Sequence, residues 1–155
     1  MVKVIEGDIA KASEEVIGHQ TNCKGYIGFL AKLILVKLFP ECEKPYRSLC
    51  KSQGSSLLGT SIILPTSKEN KFVANIFGQD DIVGHLNGGT DLASLENALH
   101  DLKRKMLEFG KHSLALPYKL GCGKGGADWK EVLELIETTF GFDDLIDVVI
   151  YKKYE

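Results

Sequence analysis

Twice in this 155-residue chain a short apolar run ends in a glycine-rich segment that passes straight into a helical pattern. The first run, 15–20, continues through Asn22-Cys23-Lys24-Gly25-Tyr26-Ile27-Gly28. The second, 113–117, continues through Gly121-Cys122-Gly123-Lys124-Gly125-Gly126. Strands that each hand over to a helix pack side by side in a mostly parallel or mixed sheet, with helices on both faces. Loops that follow parallel strands share one edge of such a sheet, where ligands bind. Helix N-termini there offer unpaired N–H groups and a positive dipole, and glycine lets the backbone approach a ligand closely. Facing each other, the two loops would clamp a diphosphate, one phosphate per loop. Lys24 and Lys124 either add charge or stay solvated. The competing reading is that the glycines serve only turns that need positive φ.

The remaining pattern fits the same α/β class. Residues 2–5 read as a strand ending at Gly7-Asp8. A helix over 27–39 stops at Pro40, and a shorter one covers 41–51, ending before Gly54. Residues 58–64 and 71–77 read as strands. Over 90–109, Leu92, Leu95, Leu99, Leu102, Met106 and Phe109 form one stripe on a 3.6-residue period, with Thr90 as N-cap and Gly110 as stop. Asp128 opens a last helix to about residue 140, with Glu131 at capping-box spacing. Residues 145–151 close the pattern as a β-branched strand. No linker or repeat interrupts it, so residues 1–155 are expected to form one domain.

The segment 121–126 matches G-x-G-x-x-G, and Asp143-Asp144 lie about 20 residues on. A dinucleotide fingerprint needs its acidic residue after the next strand, whereas this pair precedes it. No G-K-[ST] follows either, so neither a Rossmann nor a Walker reading survives. The formal net charge of -2 does not point to broad phosphate-backbone binding, though it leaves room for a local basic patch. Cys23, Cys42, Cys50 and Cys122 form no C-x-x-C pair, and His19, His85, His100 and His112 are scattered, so neither a metal nor a cofactor is expected. The longest apolar stretch, 27–39, is broken by Lys32 and Lys37, and the N-terminus turns acidic at Glu6 and Asp8 without a signal-peptide pattern. The expectation is a cytoplasmic protein with reduced thiols and no membrane partner. Cys23 and Cys122 are either nucleophiles or small residues tolerated in tight loops.

Several segments resemble a macro domain, the ADP-ribose-binding module. They are Gly7-Asp8-Ile9, His19-Gln20-Thr21-Asn22-Cys23-Lys24-Gly25 with Gly28 and Ala31, Leu58-Gly59-Thr60, Asn75-Ile76-Phe77-Gly78-Gln79, and Leu120-Gly121-Cys122-Gly123 with Gly125-Gly126 and Asp128-Trp129. His-x-x-Asn-Cys-x-Gly, Phe39-Pro40, Tyr46 and Leu57-Leu58-Gly59 resemble the yeast-type ADP-ribose 1''-phosphate phosphatases and their bacterial relatives. These are related to the terminal ADP-ribose protein glycohydrolase class. The resemblance implies a three-layer α/β/α sandwich around a mixed, mostly parallel sheet. It implies that Asp8 accepts from the adenine amino group, with the Ile9 backbone and the Tyr151 ring beside the base. Asn22 would contact the distal ribose, and residues 25–28 (Gly25, Tyr26, Ile27, Gly28) and 121–126 would form the diphosphate loops. On the residues alone, Asp8 equally caps a turn and Tyr151 equally lies at the core edge.

Two departures stand out. Phe29 occupies a place where the family carries a further glycine, which would narrow or reshape the cleft near the distal ribose. Gln79 and Gly125 stand approximately where the glycohydrolase class uses a lysine and an aspartate, so a covalent lysine mechanism is not expected. For chemistry, His19 is the first acid/base candidate through its match to the phosphatases; the alternative is a strand histidine supporting the loop. Asn22 would orient water or the ribose. Asp128 reads as an N-cap, His85 as a lid residue or a solvated one, and Trp129 as support beneath the second loop. The implied function is a hydrolase removing the terminal phosphate of ADP-ribose 1''-phosphate. The alternatives are release of ADP-ribose from a modified protein or nucleic acid, and ADP-ribose reading without turnover.

Overall fold

Six strands make one sheet: β1 (Val2–Glu6), β2 (Val16–Gln20), β3 (Ser61–Pro65), β4 (Phe72–Ile76), β5 (Ser113–Pro117) and β6 (Asp147–Lys152). In the computed structural model, which describes residues 1–86 and 88–153, their order is β1-β6-β5-β2-β4-β3. Every pairing is parallel except β3 with β4, so the α/β expectation of a mixed, mostly parallel sheet holds. The helices are α1 (Phe29–Lys32), α2 (Glu43–Gln53), α3 (Leu92–Glu108) and α4 (Trp129–Phe140). Helix α1 continues as a wider π-helical stretch, Leu33–Leu38, before the break at Pro40.

Two apolar layers enclose the sheet. On one face Val16, Ala74, Ile76, Leu114, Leu116, Val148 and Ile150 pack against α3 and α4. On the other, Ile17, Val73, Phe77 and Ala115 pack against the α1 stretch and α2 through Ala31, Ile34, Leu35, Tyr46 and Cys50. The alternation of β2 divides its side chains between these layers, as a period of two requires. Gly18 shows how tight the first layer is: a Cβ there would lie 2.9 Å from Leu116 Cδ2 and 3.1 Å from Ile76 Cδ1.

The α3 stripe is real along its middle. Leu95, Leu99, Leu102 and Met106 are fully buried, each large apolar side chain contributing roughly 2 kcal/mol by leaving water. Its ends differ from the periodic reading. Phe109 is 60% exposed and is the C-cap residue, just beyond the last helical position Glu108. Asp91, not Thr90, is the N-cap residue, and Gly110 at φ +69° terminates the helix as expected. Asp128 caps α4 by accepting from the Lys130 N–H at 3.1 Å.

Candidate functional site

Strands β2–β4 and β5–β6 each pair through five positions, but β2 and β5 pair only through Val16–Leu114 and Ile17–Ala115. Beyond those positions the two strands part, and the parting lies between the two glycine loops. Loops following β1, β2, β4 and β5 emerge at this edge, where β6 also ends. Connections leave β2 toward β4 on one side and return to β5 on the other, which is a switch point of the kind where α/β sheets bind ligands.

The first loop is held from inside. Asn22 Oδ1 accepts from the N–H groups of Lys24 at 3.0 Å and Tyr26 at 3.1 Å, while its Nδ2 donates to the Tyr26 carbonyl at 2.9 Å. Buried Tyr46 on α2 donates from its hydroxyl to the Asn22 carbonyl at 2.9 Å. Arg47 Nη1 donates to the Gly25 carbonyl at 3.2 Å. Asn22 therefore organises the loop. The Tyr46 support was visible in the sequence only as part of a resemblance. Tyr46→Phe removes these hydroxyl bonds and is expected to cost about 1–2 kcal/mol, read from the urea midpoint.

The second loop is fastened across the parting. Gln20, at the end of β2, donates through Nε2 to Thr90 Oγ1 at 2.7 Å and to Gln79 Oε1 at 2.9 Å. Thr90 Oγ1 in turn donates to the Gly121 carbonyl at 2.8 Å, and the Thr90 N–H donates to the Gly125 carbonyl at 2.9 Å. Thr90 thus joins the loop network instead of capping α3. Tyr118 and Trp129 meet edge to face at 4.9 Å beneath this loop, consistent with a supporting role for Trp129.

The glycines divide by cause. Gly25 (φ +80°), Gly121 (φ +73°) and Gly126 (φ +79°) adopt backbone that favours glycine. Gly125 is required by packing, since a Cβ would fall 2.5 Å from both the Gly121 carbonyl oxygen and Thr90 Oγ1. Gly28 and Gly123 have neither reason. Their φ values are ordinary, and among the described residues nothing lies within 4 Å of a Cβ built on either. Turn geometry alone does not account for them. Both are exposed, and open space beside two loop backbones would admit a ligand in close approach.

At the β1–β6 end, Asp8 Oδ1 accepts from the Ala10 N–H at 2.9 Å, so one carboxylate oxygen caps the following turn. Ile9 is buried beside it. The Tyr151 ring packs 3.4 Å from a Cβ built on Gly7, and its hydroxyl donates to Glu14 Oε1. Burial, then Glu14, pushes the Tyr151 hydroxyl up to about 12. Both residues have the capping and core-edge contacts that the residues alone allowed, and both also flank the edge where a base would lie.

His19, read either as an acid/base candidate or as a strand histidine supporting the loop, lies inside the sheet layer. It has no exposed surface, and its Nε2 lies 2.8 Å from Asn75 Oδ1 on the neighbouring strand. Burial lowers its pKa to about 4, so the ring is neutral near pH 7. Burial raises Cys23 to about 12 and moves Cys122 upward as well, which removes the thiolate a nucleophile needs. All four cysteines are free. Lys24 is engaged within the protein, donating from Nζ to Ser55 Oγ at 2.9 Å and lying 3.7 Å from Asp80 Oδ1. Lys124 is exposed.

No protein-family model matches the chain. The DNA ADP-ribosyl glycohydrolase of Mycobacterium tuberculosis is 29% identical over 153 residues, covering 97% of this chain and 42% of that protein. The chain thus spans well under half the length of these curated relatives. The ADP-ribose 1''-phosphate phosphatase of Candida albicans is 26% identical over 155 residues, covering 94% of this chain and 96% of that protein. The macrodomain of Mycobacterium tuberculosis DarG superposes with a TM-score of 0.84 at 29% identity, covering 97% of both chains. The macrodomain of Thermus aquaticus DarG superposes at 0.82 with 23% identity over 98% of each. The chain has the macrodomain fold.

Two further features lie along the loop edge of the sheet. Gln79 is tied down on both sides, accepting from Gln20 and donating to the Asp81 carbonyl at 3.0 Å, and the crowding at Gly125 excludes an aspartate there. The places of a lysine and an aspartate in the glycohydrolase class are therefore structural here. The other is a set of exposed apolar side chains beside the first loop and the 79–90 segment. Phe29 is 91% exposed and Leu86 88%, with Tyr26 half exposed. Phe29 opens α1 with its ring in solvent, so it does not narrow the loop by packing inward. No helix among the described residues is long and apolar enough to cross a membrane.

Proposed function

We propose that this macrodomain binds ADP-ribose along the parted edge of its sheet and hydrolyses the terminal phosphate ester of ADP-ribose 1''-phosphate. Adenine would lie at Asp8, Ile9 and Tyr151, the diphosphate between residues 25–28 and 121–126, and the distal ribose at Asn22. The observation carrying this reading is the pair Gly28 and Gly123, which neither a positive φ nor crowding requires to be glycine. Backbone N–H groups, not cationic side chains, would hold the phosphates, in keeping with a net charge of -2. The near end-to-end match with the Candida phosphatase supports the choice of substrate. Four free thiols are in keeping with a reducing, cytoplasmic setting.

A second reading, release of ADP-ribose from a modified macromolecule, is favoured by the exposed Tyr26, Phe29 and Leu86, an apolar rim suited to a bulky leaving group. Calorimetry with ADP-ribose, followed by incubation with ADP-ribose 1''-phosphate and with ADP-ribosylated DNA or protein, decides among them. The expected result is binding, with phosphate release from the first substrate. Release of ADP-ribose from the macromolecule alone would transfer the assignment to the second reading, and binding without turnover would leave a reader. Asp8→Ala is expected to weaken ADP-ribose binding about tenfold, the worth of one charged hydrogen bond; unchanged affinity would remove the adenine assignment.

A further inference from the structure

With His19 enclosed and the lysine and aspartate places taken by structural residues, the cleft's hydrolytic group must come from elsewhere on its rim. The 79–90 segment bridges both loops. At one end the Cys23 N–H donates to the Asp80 carbonyl at 2.9 Å, and at the other Thr90 N–H bonds to Gly125. Between them the segment closes on itself, with Gly89 N–H donating to the Asp81 carbonyl at 3.1 Å and Gly88 N–H to the His85 carbonyl at 2.9 Å. The closure is tight, since a Cβ on Gly88 would fall 1.9 Å from the Ile82 carbonyl oxygen. A loop braced in this way can hold a side chain in place.

The side chain it presents is His85. Its Nδ1 lies 3.1 Å from Asp81 Oδ1, and its ring stands edge-on to Tyr26 of the first glycine loop at 6.2 Å between centroids. The ring is half exposed, while the Asp81 side chain is mostly covered. With Nδ1 donating to the carboxylate, Nε2 is left as a free acceptor. This is the orientation of an acid/base histidine held in one tautomer by a carboxylate. Charged and titratable groups around it are Asp81 on its own loop, Tyr26 across from it, and the Lys24–Asp80 pair at the loop's base.

We propose that His85, held by Asp81, is the catalytic acid/base at the distal end of the cleft. The proposal rests on the hydrolase reading above. Nε2 removes a proton from a water as its oxygen forms a bond to the terminal phosphorus. The bond from phosphorus to the C1'' oxygen, on the side opposite the attacking water, breaks with its electron pair on that oxygen. That oxygen takes a proton from solvent, while the imidazolium releases its own proton to solvent. Products are ADP-ribose and inorganic phosphate, with one water consumed.

His85→Gln, His85→Asn and Asp81→Asn test this in single-turnover and steady-state assays on ADP-ribose 1''-phosphate and on ADP-ribosylated DNA, across pH 5–9, with ADP-ribose calorimetry and melting as controls. The expected result for both His85 variants is kcat lower by about 10²–10⁴-fold. ADP-ribose affinity should stay within about threefold, and the acid limb of the wild-type pH profile should be lost. Asp81→Asn should move that limb to lower pH, a change that mere loss of loop order would not produce. If either His85 variant keeps kcat within about threefold and the same profile, the acid/base role is refuted while the hydrolase reading stands. Wild-type protein that binds ADP-ribose but turns over neither substrate would overturn the hydrolase reading and the role of His85 with it.

Discussion

Replacing Gly28 or Gly123 by valine is expected to abolish ADP-ribose binding while leaving the macrodomain folded. Neither position has a left-handed backbone or a neighbour that a side chain would strike. The fold cost is therefore small: at most about 1 kcal/mol at Gly28, which sits at the N-cap of α1, where valine is a poor cap. The binding cost is large, because a branched side chain would stand in the space that a phosphate needs to reach the backbone N–H groups. A loss above 100-fold, or roughly 3 kcal/mol, is expected by calorimetry. Gly125→Ala supplies the contrast. Its Cβ meets the Gly121 carbonyl oxygen and Thr90 Oγ1 at 2.5 Å, so it should lower the melting temperature as well as the affinity. If the valine variants bind ADP-ribose within threefold of wild type, the diphosphate does not lie between these loops.

Acidification should destabilise the protein through His19. Burial holds its folded-state pKa at about 4 against an ordinary 6.5. Between those values the unfolded chain binds a proton at this ring and the folded chain does not, so stability falls as pH drops through that window. A separation of this size corresponds to about 3 kcal/mol when the window is crossed completely. Urea unfolding at pH 7.5 and 4.5 measures it, with His19→Gln as reference. Wild type should lose about 2–3 kcal/mol more than the variant over this interval, whatever the variant's stability at neutral pH. Equal losses would falsify the assignment of His19 as a buried neutral histidine. The same measurement separates His19 from His85. The first sets a folding limit at low pH, and the second is expected to set the pH dependence of turnover in protein that remains folded.

Much of the architecture could be read in advance because its causes are local. The α3 stripe follows from apolar residues three and four apart. The Asp128 cap follows from an acidic side chain just ahead of a helix, and the stop at Gly110 from a residue free to adopt positive φ. Both glycine loops were evident as strings of residues between a strand pattern and a helix pattern. The errors arose where a local rule met a distant partner. Thr90 has the chemistry of an N-cap, yet its hydroxyl serves Gln20 and Gly121, 70 and 31 residues away. His19 stands close in sequence to Asn22 and the first loop, but a strand turns alternate side chains to opposite faces, and its neighbour there is Asn75 from β4.

The glycine excess behind both loops, 16 residues in all, shows where the two sources of information divide. The sequence placed those glycines between strands and helices, and with them the fold class and the edge where a ligand would bind, since propensity and periodicity act over a few residues. Only the folded chain distinguishes glycines needed by backbone angle or crowding from Gly28 and Gly123. It alone buries His19 and brings His85 beside Tyr26. Burial and close approach depend on which distant segments meet in the sheet, and no local pattern encodes that meeting.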